Sequence, residues 1–177
     1  MEEIEVPTEL LQEKMHERAL ESEENWILKV ALTAAILAVF AAIAALLAGH
    51  YANEAMIEQL KASDQWAYYQ AKGIKSVVLQ SKMDMLKEMG KEVKVADQEK
   101  AAQYKEEQKE IDKSAREKES ISSEDLLLHN KLARAVTVFQ IAIAICAISA
   151  LTKRKWLWYG SMMLCVAGIF LMVLVFF

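Results

Sequence analysis

The sequence predicts an all-α membrane protein: three transmembrane helices, with a long extramembrane, coiled-coil-like helical hairpin between the first and the second. Three observations predict it. Apolar residues make up 54% of the 177 positions and charged residues 26%, and the two classes are segregated along the chain. Residues 26–48 hold one charge, Lys29, and residues 135–152 and 156–177 hold none; all but five of the 46 charged residues lie in 1–25 and 49–131. The single proline is Pro7, so nothing after it carries the residue that most strongly interrupts a helix.

Each element follows from local chemistry. The amino-terminal segment, 1–25, is acidic, with nine glutamates and only Lys14 and Arg18 as basic residues. Pro7-Thr8-Glu9 suits a helix start, and Leu10, Leu11, Met15, Ala19 and Leu20 fall loosely on one side, which reads as an amphipathic helix contacting protein, or a frayed tail. Its charge would be repelled from an anionic leaflet. A helix rises 1.5 Å per residue, so crossing roughly 30 Å of hydrocarbon takes about 20 apolar residues. The first such stretch, 26–48, opens on Trp26 and is too long, and too deep behind acidic residues, for a cleaved signal peptide. It carries nine alanines. Ala34, Ala38 and Ala42, with Ala41, Ala45 and Gly49, form two four-residue ladders, the spacing that lets helix backbones approach closely in lipid. That predicts a helix to be packed against, within the chain or by copies of itself.

Residues 49–131 hold three glycines, Gly49, Gly73 and Gly90, and 14 basic against 16 acidic residues. Long helices with a solvated charged face are expected. On the outgoing arm Leu60, Ala67, Ile74 and Ser81, with Ala71, Val78 and Met85, recur every seven residues as a hairpin seam. Gly90 reads as a helix stop and Asp97 as the next amino-terminal cap, placing the turn near 90–97. The returning seam, Ala101, Tyr104, Gln108, Ile111, Ala115 and Lys118, has polar members and predicts a shallow or partner-dependent coiled coil. Ser120-Ile-Ser-Ser-Glu-Asp125 reads as a break, with Ser122 and Asp125 spaced as a capping box. Arms of about 40 residues give a stalk of roughly 60 Å.

The second span, 132–151, and the third, 156–177, flank a basic turn, 152–155. Lys153, Arg154 and Lys155 beside Trp156, Trp158 and Tyr159 place that turn, and with it the amino terminus, in the cytoplasm; the hairpin and Phe177 then lie outside. Lys131 and Arg134 argue the other way. Span three should face lipid except along Ser161, Cys165 and Gly168. Gln140, near the middle of span two, is read as interhelical glue, bonding a partner such as Thr33 or Thr137.

The block Ser63-Asp64-Gln65-Trp66-Ala67-Tyr68-Tyr69-Gln70-Ala71-Lys72-Gly73-Ile74-Lys75, preceded by Gly49-His50-Tyr51-Ala52-Asn53-Glu54-Ala55-Met56, resembles a bacterial membrane-protein family known as a domain of unknown function. The resemblance runs over nearly the whole chain. It implies a bacterial inner-membrane protein with no assigned activity and no catalytic residues to carry over.

At helical spacing Ser63, Trp66, Gln70 and Gly73 share one side of this block, and Asp64, Tyr68 and Lys72 another, with the Tyr68 hydroxyl placed to bridge Asp64 and Lys72. Tyr69 adds a third aromatic. The set reads as the packed rim of the hairpin or of an oligomer, in which Trp66 can stack on Arg116. His50 with Glu54, and Asp125 with His129, are i, i+4 pairs that would face each other in a closed hairpin, the donor set of a divalent-metal site. No glycine-rich phosphate loop, metalloprotease motif or nucleophile elbow occurs. Net charge −4, with no basic stripe, argues against nucleic acid. Cys146 and Cys165 lie in apolar runs, away from any secreted disulfide framework.

The expected function is therefore a non-enzymatic, cofactor-free scaffold: a homo-oligomer in the lipid bilayer built through the first span and the hairpin. Two alternatives stay open. One is a channel or transport-associated subunit, for which the spans offer only Thr33, Thr137, Gln140, Ser149 and Ser161. The other is an envelope accessory or sensor protein that binds an unidentified partner through the hairpin.

Overall fold

The computed structural model describes residues 12–15 and 25–175. Three helices make up nearly all of it: α1, Asn25–Glu88; α2, Val95–Thr152; and α3, Lys155–Val173. No strand occurs among the described residues. All three helices are long and apolar enough to cross a membrane, which fits a multi-pass membrane protein. Most of the acidic amino-terminal segment, including Leu10, Leu11, Ala19 and Leu20, lies outside the described residues; Met15 is buried.

With no proline after Pro7, α1 and α2 run through both apolar and charged sequence without a break. Two special backbone positions stop them. Gly90 has φ 68°; the Gly90 N–H donates to Lys87 O at 3.0 Å and the Lys91 N–H to Leu86 O at 2.9 Å. Those are the paired bonds of a Schellman ending, with glycine at the left-handed position where a Cβ would be strained. Lys153 has φ 55° and reverses the chain between α2 and α3. There Ser149 Oγ donates to Arg154 O at 3.0 Å, and the Arg154 N–H to Ser149 O at 3.3 Å.

Two boundaries differ from the sequence reading. Asp97 is not the cap of α2 but lies in its first turn, where its charge suits the helix dipole and pairs with Lys82 at 2.8 Å. Residues 120–125 do not break α2. Their serines do not cap a new amino terminus: Ser123 Oγ donates back to Glu119 O at 2.9 Å, and Ser122 Oγ donates across to Ala55 O at 2.8 Å. Serine hydroxyls can bond carbonyls without interrupting the helical ladder.

The chain divides into two compact units, Met1–Ala52 with Leu127–Phe177, and Asn53–Leu126. The core of the first combines Ile27, Val30, Ala34 and Leu37 from α1 with Ala135, Phe139, Ala142 and Cys146 from α2, all buried, while Leu164, Cys165 and Ile169 of α3 pack against it. Phe139 is its largest fully buried side chain. It stacks on Phe40 at 6.0 Å between ring centroids and lies against Gly168, where a Cβ would come within 2.6 Å of its ring. On α3 the buried residues are Ser161 and Gly168, while Met163 and Val166 are exposed.

In the second unit, α1 and α2 touch through residues whose sequence separation shortens stepwise: 67 residues from Ala55 to Ser122, 53 from Trp66 to Glu119, 39 from Tyr69 to Gln108 and 15 from Lys82 to Asp97. The buried positions of α1 here are Ala55, Ala62, Ser76 and Met83, met by buried Ala101, Ile111, Ala115 and Ser122 of α2. This corrects the outgoing seam. Leu60 is 62% exposed, Ile74 65%, Val78 63% and Met85 62%. Two seven-residue repeats run along α1, and the one that turns inward is small at Ala55, Ala62 and Ser76, where small residues permit close helix approach.

Candidate functional site

The densest polar–aromatic cluster lies in the second unit and grows from the 63–75 block. Trp66, partly buried, donates from Nε1 to Glu119 Oε1 at 2.8 Å. The Arg116 guanidinium lies over its ring at 5.6 Å from the centroid, held by Asp112 at 3.0 Å. Tyr69 meets Trp66 edge-on at 5.6 Å. One turn further, the Lys72 ammonium sits 5.2 Å from the Tyr68 ring centroid and 5.2 Å from that of Tyr104, and pairs with Glu107 at 2.5 Å.

Close approach makes the second half of this cluster possible. A Cβ on Gly73 would fall 2.8 Å from Gln108 Nε2; without one, Gln108 lies across the helix and donates to Tyr69 O at 3.3 Å. Electrostatics follow the geometry. The hydrogen bond from Lys72 holds the Glu107 carboxyl below its ordinary range, and Glu107, then Tyr68, hold the Lys72 ammonium above its own.

Of the expected Asp64–Tyr68–Lys72 bridge, Tyr68 does stand beside the Lys72 ammonium, but the anion that Lys72 takes is Glu107 of α2. Ser63, Asp64 and Gln70 are exposed. Gln108, expected as a seam member, bonds Tyr69 O; Glu107 and Glu119, which carry the rest of the network, were not singled out in the sequence. The only signal for them was their position among the returning-arm residues three or four apart from Tyr104, Ala115 and Arg116. Chemically, the cluster directs its donors and acceptors at one another.

The metal set is not gathered. Among the described residues no group of three or more His, Cys, Asp or Glu is placed to hold an ion. His129 Nδ1 is 2.8 Å from Ala48 O, so the ring donates its proton to a backbone carbonyl, while exposed His50 leans on Tyr51 at 5.4 Å. One nitrogen of His129 is thus taken by a backbone carbonyl, and His50 makes a ring contact only. Glu54 and Asp125 are each half-buried.

A model of the family described as a domain of unknown function, DUF4337, matches residues 26–177. The chain belongs to the DUF4337 family. No curated protein and no solved structure matches it. The matched part of this DUF4337 chain begins at Trp26 and takes in α1, α2 and α3.

Within the first unit of the DUF4337 fold the small-residue ladders are divided. Ala34 is fully buried, and Ala38 and Ala41 pack against the core. Ala42, Ala45 and Gly49 are exposed, and nothing lies within 4 Å of where a Gly49 Cβ would be. Gln140 is half-buried. Neither expected threonine reaches it: Thr137 donates back to Ala133 O at 2.9 Å, and Thr33 donates to Lys29 O at 2.8 Å while accepting from Trp158 Nε1 at 3.2 Å. Helical threonines satisfy themselves on the preceding turn.

Proposed function

We propose that this DUF4337 protein is a non-enzymatic, homo-oligomeric scaffold of the bacterial inner membrane. Its three spans anchor a helical hairpin, formed by the later part of α1 and the earlier part of α2, outside the bilayer. The amino terminus and the 152–155 turn face the cytoplasm, and the hairpin faces the periplasm.

The observation that carries the reading is the open half of the ladder. Ala42, Ala45 and Gly49 stay exposed on α1, although the same helix uses Ala34 to pack tightly within the chain. In lipid, helix association rests on close van der Waals contact and hydrogen bonds, because burying apolar surface gains little there. A ladder of the smallest side chains on an open face is what a second span needs in order to approach. Gln140 supports the same reading, since an amide in hydrocarbon gains from a hydrogen bond to a neighbouring helix.

The test is native mass spectrometry of the intact chain released from lipid nanodiscs. The expected result is a multiple of the 20.0 kDa protomer, shifted toward single chains by Ala42→Leu with Gly49→Leu. A single chain in the unaltered protein refutes the oligomer.

A further inference from the structure

The turn between α2 and α3 concentrates positive charge where two apolar stretches end together. Residues 135–152 and 156–177 hold no charge, and Lys153, Arg154 and Lys155 stand between them. Whichever way the helices are inserted, so short a connection between two spans lies at headgroup depth, among lipid phosphates. All three basic side chains are exposed. So are Trp156 and Tyr159, residue types that settle at that same depth. The turn is also held in one shape: Lys153 takes φ 55°, and Ser149 and Arg154 close it with a hydrogen bond in each direction.

Helix α1 brings a further cation to this end of the unit. The Lys155 ammonium lies 5.7 Å from the Trp26 ring centroid, and Trp158 Nε1 donates to Thr33 Oγ1 at 3.2 Å. Trp26, Lys29 and Thr33 share one face of α1 at i, i+3, i+7 spacing, so exposed Lys29 is placed beside the first turn of α3. It is the one charge in 26–48. An ammonium in hydrocarbon is costly, and its long stem lets it reach toward the headgroups at the same end.

This charge is not cancelled locally. No ion pair between described residues takes Lys29, Arg154 or Lys155, and an aromatic face attracts an ammonium without neutralising it. Glu13 is the only acid among the described residues of this unit.

We propose that the turn is a binding site for the phosphate of an anionic phospholipid, held by Lys29, Arg154 and Lys155. Depth and charge select this occupant together. The position between two spans puts phosphate at the site, and uncancelled cations favour a headgroup that keeps its net negative charge over one that carries its own ammonium. Arg154 supplies a planar fork that matches phosphate oxygens, and the two lysines supply compact charges beside it. One chain is enough to form the site, so it stands apart from the scaffold reading.

The test is native mass spectrometry of the full chain in detergent, titrated with dioleoylphosphatidylglycerol and, in parallel, with dioleoylphosphatidylcholine. Phosphatidylglycerol should bind more tightly. Arg154→Gln with Lys155→Gln should weaken it roughly 25-fold and Lys29→Gln roughly fivefold, the effect of losing one cation at a time beside an anionic lipid. Phosphatidylcholine binding should not change. Lys131→Gln with Arg134→Gln removes the same charge from exposed positions at the other end of span two and should leave phosphatidylglycerol binding as it was. An equal loss there would show that net charge governs, and would overturn the site. Equal affinity for the two lipids would overturn it as well. Glu21, Glu23 and Glu24 precede Trp26 in the sequence; if phosphatidylglycerol binds only once all three are changed to glutamine, the acidic segment is the partner of the turn and the lipid is not. None of these outcomes depends on how many chains assemble, so a single-chain mass would refute the scaffold and leave the lipid site standing.

Discussion

Replacing Gly168 with alanine sets two effects of known size against each other. Alanine is favoured over glycine in a helix interior by about 1 kcal/mol. Against that, the added Cβ would lie 2.6, 2.9 and 3.0 Å from three atoms of the Phe139 ring, where ordinary carbon contacts are about 3.5–4.0 Å. The ring would have to move by about 1 Å. It is fully buried and stacked on Phe40, so it cannot simply swing aside as a surface side chain would. Overpacking of this kind costs about 1–3 kcal/mol, which leaves a net loss of up to about 2 kcal/mol. Gly160 provides the control on the same helix: nothing lies within 4 Å of its would-be Cβ, so Gly160→Ala should gain up to about 1 kcal/mol. The two variants should separate by about 1–3 kcal/mol, roughly 2 to 12 °C in melting temperature. In a Cys165→Ala background, which removes the half-buried second thiol, a thermal scan with a thiol-reactive dye reads this, because Cys146 is buried in the same cluster and labels when the cluster opens. Phe139→Leu should relieve the Gly168→Ala defect, with a coupling of about 0.5–3 kcal/mol. If Gly168→Ala melts at or above Gly160→Ala, the close packing of α3 on Phe139 is not what limits this site.

Two further outcomes concern the second unit. Trp66→Phe removes the donor to the Glu119 carboxylate and weakens the Arg116 contact, so urea unfolding followed by circular dichroism should show a loss of about 1–2 kcal/mol; a midpoint equal to wild type would make the pair ornamental. Glu107 titrates below its ordinary value because Lys72 bonds it, so its contribution is present above a normal carboxylate pKa of about 4.3 and is lost as pH falls through the lowered value. The urea midpoint should therefore drop on acidification in that window, and Glu107→Gln should be weaker at neutral pH with a flatter acid response; an unchanged acid slope would show that other carboxylates govern it.

Several parts of this molecule could be read from residue order alone. Runs of about 20 residues with at most one charge mark the candidate spans because burying an ion in hydrocarbon is costly, and that cost does not depend on which helix is the neighbour. Gly90 ends α1 because the left-handed turn it makes excludes most side chains, again a local matter. The basic 152–155 turn was legible for the same reason, and the Trp66–Arg116 pair was within reach because both residues stood on the right faces. The serine-rich 120–125 stretch misled, since an isolated sequence cannot distinguish a hydroxyl that caps a helix from one that bonds a carbonyl across to another helix, as Ser122 does to Ala55.

What residue order left open was the choice between faces. Helix α1 carries two seven-residue repeats, and periodicity defines a stripe without naming what lies against it. The larger apolar side chains of Leu60, Ile74, Val78 and Met85 made the stronger pattern, yet Ala55, Ala62, Ser76 and Met83 face α2. That decision belongs to the pair of helices: small side chains allow approach close enough for Ser122 to reach Ala55, Gln108 to cross Gly73 and Lys72 to find Glu107. Each of those contacts joins residues dozens of positions apart, and only the packed structure brings them within bonding distance.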